Sequence, residues 1–189
     1  MELLTGILSA FGLSASAGLN AYIPLLVVGT TAHFTDLIRL EKPWDTLANP
    51  WILILLGVLV IIEMLADKIP AVNHINDAIQ TLVRPAAGAI VFAASAQVIT
   101  DVHPVVALAC GLLVAGSVHV VKSAAIRPAV TATTGGTANI PVSIAEDVIA
   151  AGTSILSILI PILVGFLVLL MILLVIWWMK KRANKRKLV

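Results

Sequence analysis

The sequence predicts an all-α, polytopic membrane protein, and two observations lead to that prediction. Of the 189 residues, 60% are hydrophobic and 12% are charged, and the mean hydropathy is +1.07. Soluble domains are typically about 45–50% apolar and about 25% charged. The apolar residues also form runs long enough to cross about 30 Å of hydrocarbon as helices. We expect about five transmembrane helices, together with broken or re-entrant helical segments.

The first apolar run, residues 3–31, is rich in small and polar residues between positions 14 and 24. Pro24 lacks a backbone donor, and Asn20 weakens the helix beside it. We therefore expect a broken or closely packed helix. Two interpretations remain open, because the small residues allow close helix contact while Asn20 and Tyr22 could belong to a binding site.

A polar loop and a second span follow. Residues 33–50 carry five charged side chains and Trp44, a composition typical of an interfacial loop with a short helix on the membrane surface. The second span covers residues 51–68. Glu63 and Asp67 are four residues apart and therefore lie on one face of this helix.

The middle of the chain reads as three helical segments. Residues 71–83 have the spacing of an amphipathic helix that is too short to cross a bilayer, so it is interfacial or re-entrant. The third span covers residues 86–100, and the fourth runs from 105 to about 125. Turn formers dominate residues 131–141 and separate the fourth span from the last stretch.

The last stretch, residues 142–179, would be about 57 Å long as one helix. We expect a break in it at Gly152, Pro161 or Gly165. With no soluble segment visible, residues 1–179 are assigned to a single transmembrane helical domain, and residues 180–189 form a basic tail.

The basic tail indicates how the protein is oriented. Six of the twelve lysines and arginines lie after Met179, directly behind Trp177 and Trp178. Aromatic residues followed by basic ones are typical of the cytoplasmic face of a membrane. We predict a bacterial inner (plasma) membrane protein with a cytoplasmic C-terminus, with membrane lipids as partners and no nucleic-acid partner. A homo-oligomer is compatible with the sequence.

Outside the polar loop and the basic tail, ionisable residues concentrate in three segments of an otherwise apolar chain. These segments are residues 63–84, 119–127 and 134–147. Charges at membrane depth are costly and therefore indicate a site or an ion pathway, so we expect the three segments to meet in space. The predicted substrate-binding residues are Arg84, Lys122, Arg127, Thr134, Gly135, Gly136, Asn139 and Asn20. The predicted residues for ion or proton coupling are Glu63, Asp67, Asp77, His74, His119, Glu146 and Asp147.

These two groups of residues follow from their chemistry. The planar guanidinium of arginine matches phosphate oxygens, and a Gly-rich turn lets backbone N–H groups approach an anion. Carboxylates can carry protons or cations, and histidine titrates near neutrality. The predicted function is a small membrane transporter or flippase for an anionic small molecule or lipid-linked phosphate, coupled to protons or cations.

Two other functions stay open. The charges could form buried ion pairs that fix helix packing in a non-transporting scaffold. Alternatively, His74, His119 and several carboxylates could converge on zinc or manganese in an intramembrane metal-binding protein or enzyme. The sequence contains no HExxH motif. It indicates no cofactor and no catalytic residue, and it favours a protein that is not an enzyme.

A short internal repeat is compatible with a transporter. Residues 83–86 and 126–129 both contain an Arg-Pro pair that follows a polar helix end. Duplicated halves with broken helices are common among secondary transporters. Matches of four residues also arise by chance, so duplication remains a hypothesis.

Three motifs carry a resemblance to a known family: GLNAYIPLL at residues 18–26, EMLADKIP with the following NHINDAIQTLVRPAAGA at residues 63–89, and TGGTANIP followed by SIAED at residues 134–147. The chain resembles a bacterial membrane family catalogued as domain of unknown function 4126. The resemblance covers most of the chain except the tail. It implies a polytopic, all-helical membrane domain and no particular activity.

Overall fold

The computed structural model describes residues 2–67, 70–97 and 103–186. Within these ranges it gives the backbone alone at residues 2–3, 70–75, 77, 97, 165, 168, 172, 175 and 178–186. All regular structure in the described ranges is helical, as predicted. The helices are α1 (Glu2–Leu19), α2 (Tyr22–Phe34), α3 (Pro50–Ala66), α4 (Pro70–Gln97), α5 (Pro104–Val121), α6 (Arg127–Thr134), α7 (Asn139–Leu159) and α8 (Pro161–Arg186).

Three helical stretches in the described part of the chain are long and apolar enough to cross a membrane. They are Ala78–Ala96, Pro104–Thr134 and Asn139–Leu159. Shorter apolar helices cover Leu4–Leu19, Tyr22–Phe34, Pro50–Ala66 and Pro161–Met171. This composition confirms the predicted fold class, an all-α polytopic membrane protein.

The first predicted span is broken between α1 and α2. The Asn20 side chain lies at the break, and its Oδ1 accepts hydrogen bonds from the backbone N–H groups of Tyr22 (3.2 Å) and Ile23 (3.1 Å). The first N–H groups of a helix have no partner within the helix, so this side chain stabilises the start of α2. After α2, a short 3-10 helix at Trp44–Ala48 leads into α3, in agreement with the predicted polar loop.

Helix α4 joins two segments that the sequence separates. The predicted short helix at residues 71–83 and the start of the predicted third span form one continuous helix, with Pro85 inside it. Proline removes one backbone hydrogen bond, but neighbouring helices in a membrane can compensate for that loss. Here Pro85 lies against α5, because a Cβ built on Gly116 would be 3.7 Å from its Cγ.

Small residues bring α1, α4 and α5 into close contact. The Ser14 hydroxyl donates to the Gly111 carbonyl across 2.8 Å. A Cβ on Gly18 would lie 2.6 Å from the Ala115 carbonyl oxygen, and a Cβ on Gly111 would lie 2.6 Å from Phe92 Cβ. These distances leave no room for larger side chains, so the small residues of the first span do allow close helix packing.

The last apolar stretch breaks at Ile160, where α7 ends and α8 begins at Pro161. Ile160 has φ −138° and ψ 66°, outside the helical region. Proline lacks the N–H group that would continue the helix, which explains why Pro161 is the break point and the predicted alternatives Gly152 and Gly165 are not. The described apolar side chains of α8 are mostly exposed, as expected for a helix that faces lipid.

The close packing at Gly111 leads to a first prediction. Gly111→Ala should destabilise the protein by about 1–3 kcal/mol, because overpacking forces backbone shifts of α4 or α5. The matched control is Gly57→Ala in α3, where an added Cβ would meet nothing within 4 Å. Thermal unfolding of the purified variants measures both effects. Equal melting temperatures for Gly111→Ala and the wild type would contradict the close contact.

Candidate functional site

The three predicted polar segments meet inside the helix bundle. Their buried side chains, together with Asn20 of the α1–α2 break, form one connected group. We use the name charged cluster for its six residues joined by ion pairs: Glu63, Asp67, Arg84, Lys122, Arg127 and Glu146. His119, Asp147 and Asn20 border this cluster.

Asp67 is the centre of the charged cluster. Its Oδ2 lies 2.8 Å from Arg127 Nη2. The same oxygen lies 3.7 Å from Arg84 Nη2 and 3.7 Å from Lys122 Nζ. Its Oδ1 accepts a hydrogen bond of 2.6 Å from Asn76 Nδ2. One carboxylate oxygen at the end of α3 is therefore shared by three cationic side chains.

Glu63 pairs with Arg84 one helical turn away from Asp67. Its Oε1 accepts hydrogen bonds from Arg84 Nε (3.2 Å) and Nη2 (3.0 Å). Both side chains are almost fully buried. The other oxygen, Oε2, is buried without a hydrogen-bond partner among the described residues. Glu63 therefore binds Arg84 through Oε1 alone, and its Oε2 makes no hydrogen bond in the described structure.

His119 contacts the same arginine. Arg84 Nη1 lies 3.2 Å from His119 Nδ1, and because a guanidinium can only donate, this ring nitrogen accepts. His119 Nε2 then carries the proton and donates to Thr81 Oγ1 at 3.2 Å. This geometry corresponds to a neutral imidazole with its hydrogen on Nε2.

Lys122 and Arg127 lie on a wide helical turn between α5 and α6. Residues Lys122–Ile126 form a π-helix, in which the Arg127 N–H donates to the Lys122 carbonyl. The ring of Pro128 would crowd the carbonyl four residues earlier in a regular α-helix, and the wider turn relieves that contact. Such π turns are frequent at functional sites.

The π turn places both bases on Glu146 of α7. Lys122 Nζ lies 2.8 Å and Arg127 Nη2 3.4 Å from Glu146 Oε2. Lys122 also donates to the Leu19 carbonyl at 2.9 Å. That carbonyl is free to accept because α1 ends there. The helix break therefore supplies a carbonyl acceptor for Lys122, and the π turn brings the same side chain to Glu146.

Asp147 and Ser143 connect α7 to the rest of the site. Asn20 Nδ2 donates to Asp147 Oδ1 at 3.0 Å, so one asparagine both starts α2 and binds α7. The Ser143 hydroxyl lies 3.5 Å from Asp67 Oδ2. These contacts hold α7 against α1 and α3.

The described side chains of the site carry more acids than bases. Among the described side chains, four carboxyl groups are buried (Glu63, Asp67, Glu146 and Asp147), and three of them pair with the basic groups of Arg84, Lys122 and Arg127. Lys68 and the side chains of His74 and Asp77 lie outside the described part. Glu63 Oε2 and Glu146 Oε1 are both buried without a hydrogen-bond partner in the described structure. Both oxygens are therefore candidate positions for a proton or a water molecule.

The Gly-rich turn lies apart from these contacts. Thr134 and Gly135 are exposed, and Asn139 Nδ2 donates to Thr131 Oγ1 at 3.1 Å. Gly135 and Gly136 have φ values of 62° and 90°, which glycine adopts without strain. The two glycines are therefore explained by the conformation of the turn. A substrate-binding role stays a prediction for Thr134, Gly135, Gly136 and Asn139.

His74 and Asp77 lie within α4, but their side chains are outside the part that the structure describes. Their coupling roles also stay predictions. Two further polar residues of α4 were not among the predicted site residues. Asn76 contacts Asp67, and Gln80 is buried one turn later. The available signal was the successive four-residue spacing of Asn76, Gln80 and Arg84, which places all three on one helix face.

A metal site needs several ligands in one place. Among the residues that the structure describes, no group of three or more His, Cys, Asp or Glu side chains is arranged to hold a metal ion. The contact between His119 and Arg84 gives a local reason, because a bound cation would be repelled by the guanidinium.

Comparison with known proteins identifies a family but no activity. The family model described as "Domain of unknown function (DUF4126)" matches residues 7–181. Searches of curated proteins and of solved structures find no match.

The central position of Asp67 leads to a second prediction. Asp67→Asn removes the charge shared by three bases, and breaking a buried ion pair in this way costs about 3–5 kcal/mol. We expect a clear fall in the melting temperature of the purified protein. In the control Asp36→Asn, the carboxylate belongs to an exposed pair with Arg39, and the melting temperature should not change. A melting temperature for Asp67→Asn equal to that of the wild type would contradict the central role of this carboxylate.

Proposed function

The chain belongs to the family described as "Domain of unknown function (DUF4126)", and we propose a function from its site alone. The protein is a small membrane transporter or flippase that moves an anionic small molecule or a lipid-linked phosphate. Movement is coupled to protons or cations through buried carboxylates. The observation that carries the proposal is a set of buried carboxyl groups that pair with Arg84, Lys122 and the partly exposed Arg127, with two of their carboxylate oxygens unpartnered among the described residues.

Proton uptake by Glu146 provides a mechanism for coupling. Its Oε2 pairs with both Lys122 and Arg127, and protonation of this carboxyl removes one of the two negative charges that hold them. The other charge, on Asp67 Oδ2, remains. The two bases can then bind the oxygens of a phosphate or carboxylate, for which charge-assisted hydrogen bonds are strong. Because the bases become available when Glu146 is protonated, a proton and an anion move together.

Arg127 is the base best placed to meet an incoming anion. Its side chain is 13% exposed, whereas the side chains of Arg84 and Lys122 are 0% and 1% exposed. An anion that reaches Arg127 first can then pass to Lys122, since both contact the same oxygen of Glu146. Arg84, held by Glu63 on two nitrogens, would keep its partner during this exchange.

The sequence also supports a cellular location for this activity. The bases after Trp177 and Trp178 favour a bacterial inner membrane with the C-terminus in the cytoplasm. Membrane lipids are then the immediate partners, and a homo-oligomer is compatible with the exposed apolar helix faces.

A non-transporting scaffold is the second candidate. It is favoured by the interlocked contacts of Asp67, which joins α3 to α4, α6 and the π turn. Buried ion pairs are often neutral for stability compared with apolar residues of the same volume. A purely structural cluster gives no reason for the two carboxylate oxygens that lack a partner among the described residues.

The proposed mechanism leads to a third prediction, tested in proteoliposomes with an internal pH indicator. The probes are inorganic phosphate, a fluorescent phospholipid and an isoprenyl phosphate. We expect the wild type to move at least one of them together with protons. Glu146→Gln cannot release and take up a proton, so proton movement should fall about tenfold or more, while substrate binding persists.

The control for this prediction is Glu41→Gln, which changes an exposed glutamate of the loop and should move protons at the wild-type rate. Coupled transport by Glu146→Gln would overturn the mechanism. A wild type that moves none of the three probes would overturn the proposal. If Glu146→Gln then also lowered the melting temperature strongly, the scaffold would be the better account.

A further inference from the structure

Small polar residues line the facing sides of α1 and α7. On α1 they are Thr5, Ser9, Ser16 and Asn20, and on α7 they are Ser143, Asp147, Ser154 and Ser157. Most are spaced at intervals of three, four or seven, which places each set on one helix face. The helices run antiparallel, since Asn20 pairs with Asp147 and Ser16 pairs with Ser154. We use the name hydroxyl seam for Thr5, Ser9, Ser16, Ser154 and Ser157.

The centre of the hydroxyl seam can reverse its hydrogen bonds. Ser16 Oγ and Ser154 Oγ are 2.7 Å apart, and each lies 2.7 Å from the Ala150 carbonyl oxygen. Either serine can donate to the carbonyl while the other donates to its neighbour. Rotation of the two hydroxyl groups interconverts these arrangements without moving any heavy atom. This property is what a proton relay requires.

One end of the hydroxyl seam opens into a cavity of about 150 Å³. Its lining residues are Thr5, Ser9, Leu37, Ile38, Ser95, Ile158 and Pro161. This volume is enough for several water molecules. Leu37 belongs to the exposed loop after α2, so the cavity lies close to the protein surface.

Ser95 supplies independent evidence that water enters the cavity. The residue is 7% exposed, and its hydroxyl has no hydrogen-bond partner in the described structure. A buried hydroxyl without a partner is unfavourable, and such groups usually bind ordered water. The Ser95 hydroxyl therefore indicates a water position at the wall of the cavity.

The other end of the hydroxyl seam, at Ser16, lies one helical turn from Asn20, which binds the Asp147 carboxylate. The distance from the cavity to the site can be estimated along three helices. In each helix one residue lines the cavity and another belongs to the site: Ser9 and Asn20 in the first span, Ser95 and Arg84 in α4, and Ile158 and Asp147 in α7. Each pair is 11 residues apart, about 16 Å at 1.5 Å per residue. The Ser16–Ser154 pair lies between the cavity and the site.

We propose that the hydroxyl seam conducts protons between the cavity and the carboxyl groups beside the charged cluster. The inference rests on the proposed proton coupling and gives its route. A proton enters from water in the cavity, each hydroxyl accepts one proton and gives up another, and the last acceptor is the carboxylate of Asp147 or Glu146. Only O–H bonds are made and broken. Ser16 and Asn20 are one turn apart, about 6 Å along the helix, and Ser9 and Ser16 are two turns apart, about 10 Å. The proposed route therefore includes a water molecule in each of these gaps.

The experiment measures how fast a buried carboxyl group exchanges its proton for deuterium. Protein in lipid nanodiscs is transferred to D₂O, and the shift of the protonated carboxyl C=O stretch is followed by infrared spectroscopy. Glu146→Gln, Glu63→Gln and Asp147→Asn assign the band. No transported substrate is needed. The result is therefore independent of the liposome assay.

Ser95→Ala is the most informative variant, because removing an unpartnered hydroxyl breaks no hydrogen bond within the described protein and should not lower the melting temperature. We expect carboxyl exchange to slow by about tenfold in Ser95→Ala and in Ser16→Ala. The matched control is Ser117→Ala on α5, whose exposed hydroxyl bonds the Leu113 carbonyl of its own helix. Exchange in this control should keep the wild-type rate.

The outcomes distinguish a failure of the proposed proton route from a failure of the proposed proton coupling. Wild-type exchange rates in both Ser95→Ala and Ser16→Ala would overturn the route and leave proton coupling intact. Absence of a buried protonated carboxyl in the wild type between about pH 5 and about pH 8 would overturn both. If Ser16→Ala failed to fold, Ser95→Ala would decide alone.

Discussion

The carboxylate of Asp67 is the interaction on which the arrangement of the bundle depends. It lies at the end of an apolar helix and is shared by Arg84, Lys122 and Arg127, which come from α4, the π turn and α6. Charges remain at such a depth only when they are paired. Each of these elements must therefore return to the same point at the end of α3. This requirement orients α4 to α6 more specifically than apolar contacts, which carry no direction.

The irregular parts of the helices lie where the charges lie. The break between α1 and α2 leaves the Leu19 carbonyl available to Lys122 and lets Asn20 bind both α2 and Asp147. The π turn before Pro128 brings Lys122 and Arg127 to one oxygen of Glu146. A straight helix satisfies its own backbone groups and offers none to a side chain. Each defect therefore exchanges a backbone hydrogen bond for a contact within the site.

Helix α1 packs differently on its two sides. Towards α4 and α5, Ser14 and Gly18 allow contacts that exclude any larger side chain. Towards α7, Ser16 and Asn20 present polar groups that bind a serine and an aspartate. Small residues permit both, because they allow close approach and because serine carries a hydroxyl in little more volume than alanine. The same first span can thus be tightly packed and still border a polar route through the bundle.

The sequence by itself determined the features that depend on local chemistry. Apolar runs specified helices in a membrane, and Pro161 was one of three break points that the sequence offered for the last stretch. The polar segments contained the six residues of the charged cluster. The two Arg-Pro pairs were visible as a repeat. Only the structure shows that both arginines reach Asp67. Whether the repeat reflects duplication is a separate question.

The tertiary structure decided everything that depends on distant partners. Arg127 binds a carboxylate 60 residues away, and no periodicity specifies such a pairing. Helix α4 continues through Pro85 because neighbouring helices support it, whereas local propensity predicts a boundary there. The composition of the Gly-rich turn is typical of an anion-binding loop, yet Thr134 and Gly135 lie at exposed positions. Composition limits which residues can carry charge in a membrane, but only packing determines which of them meet.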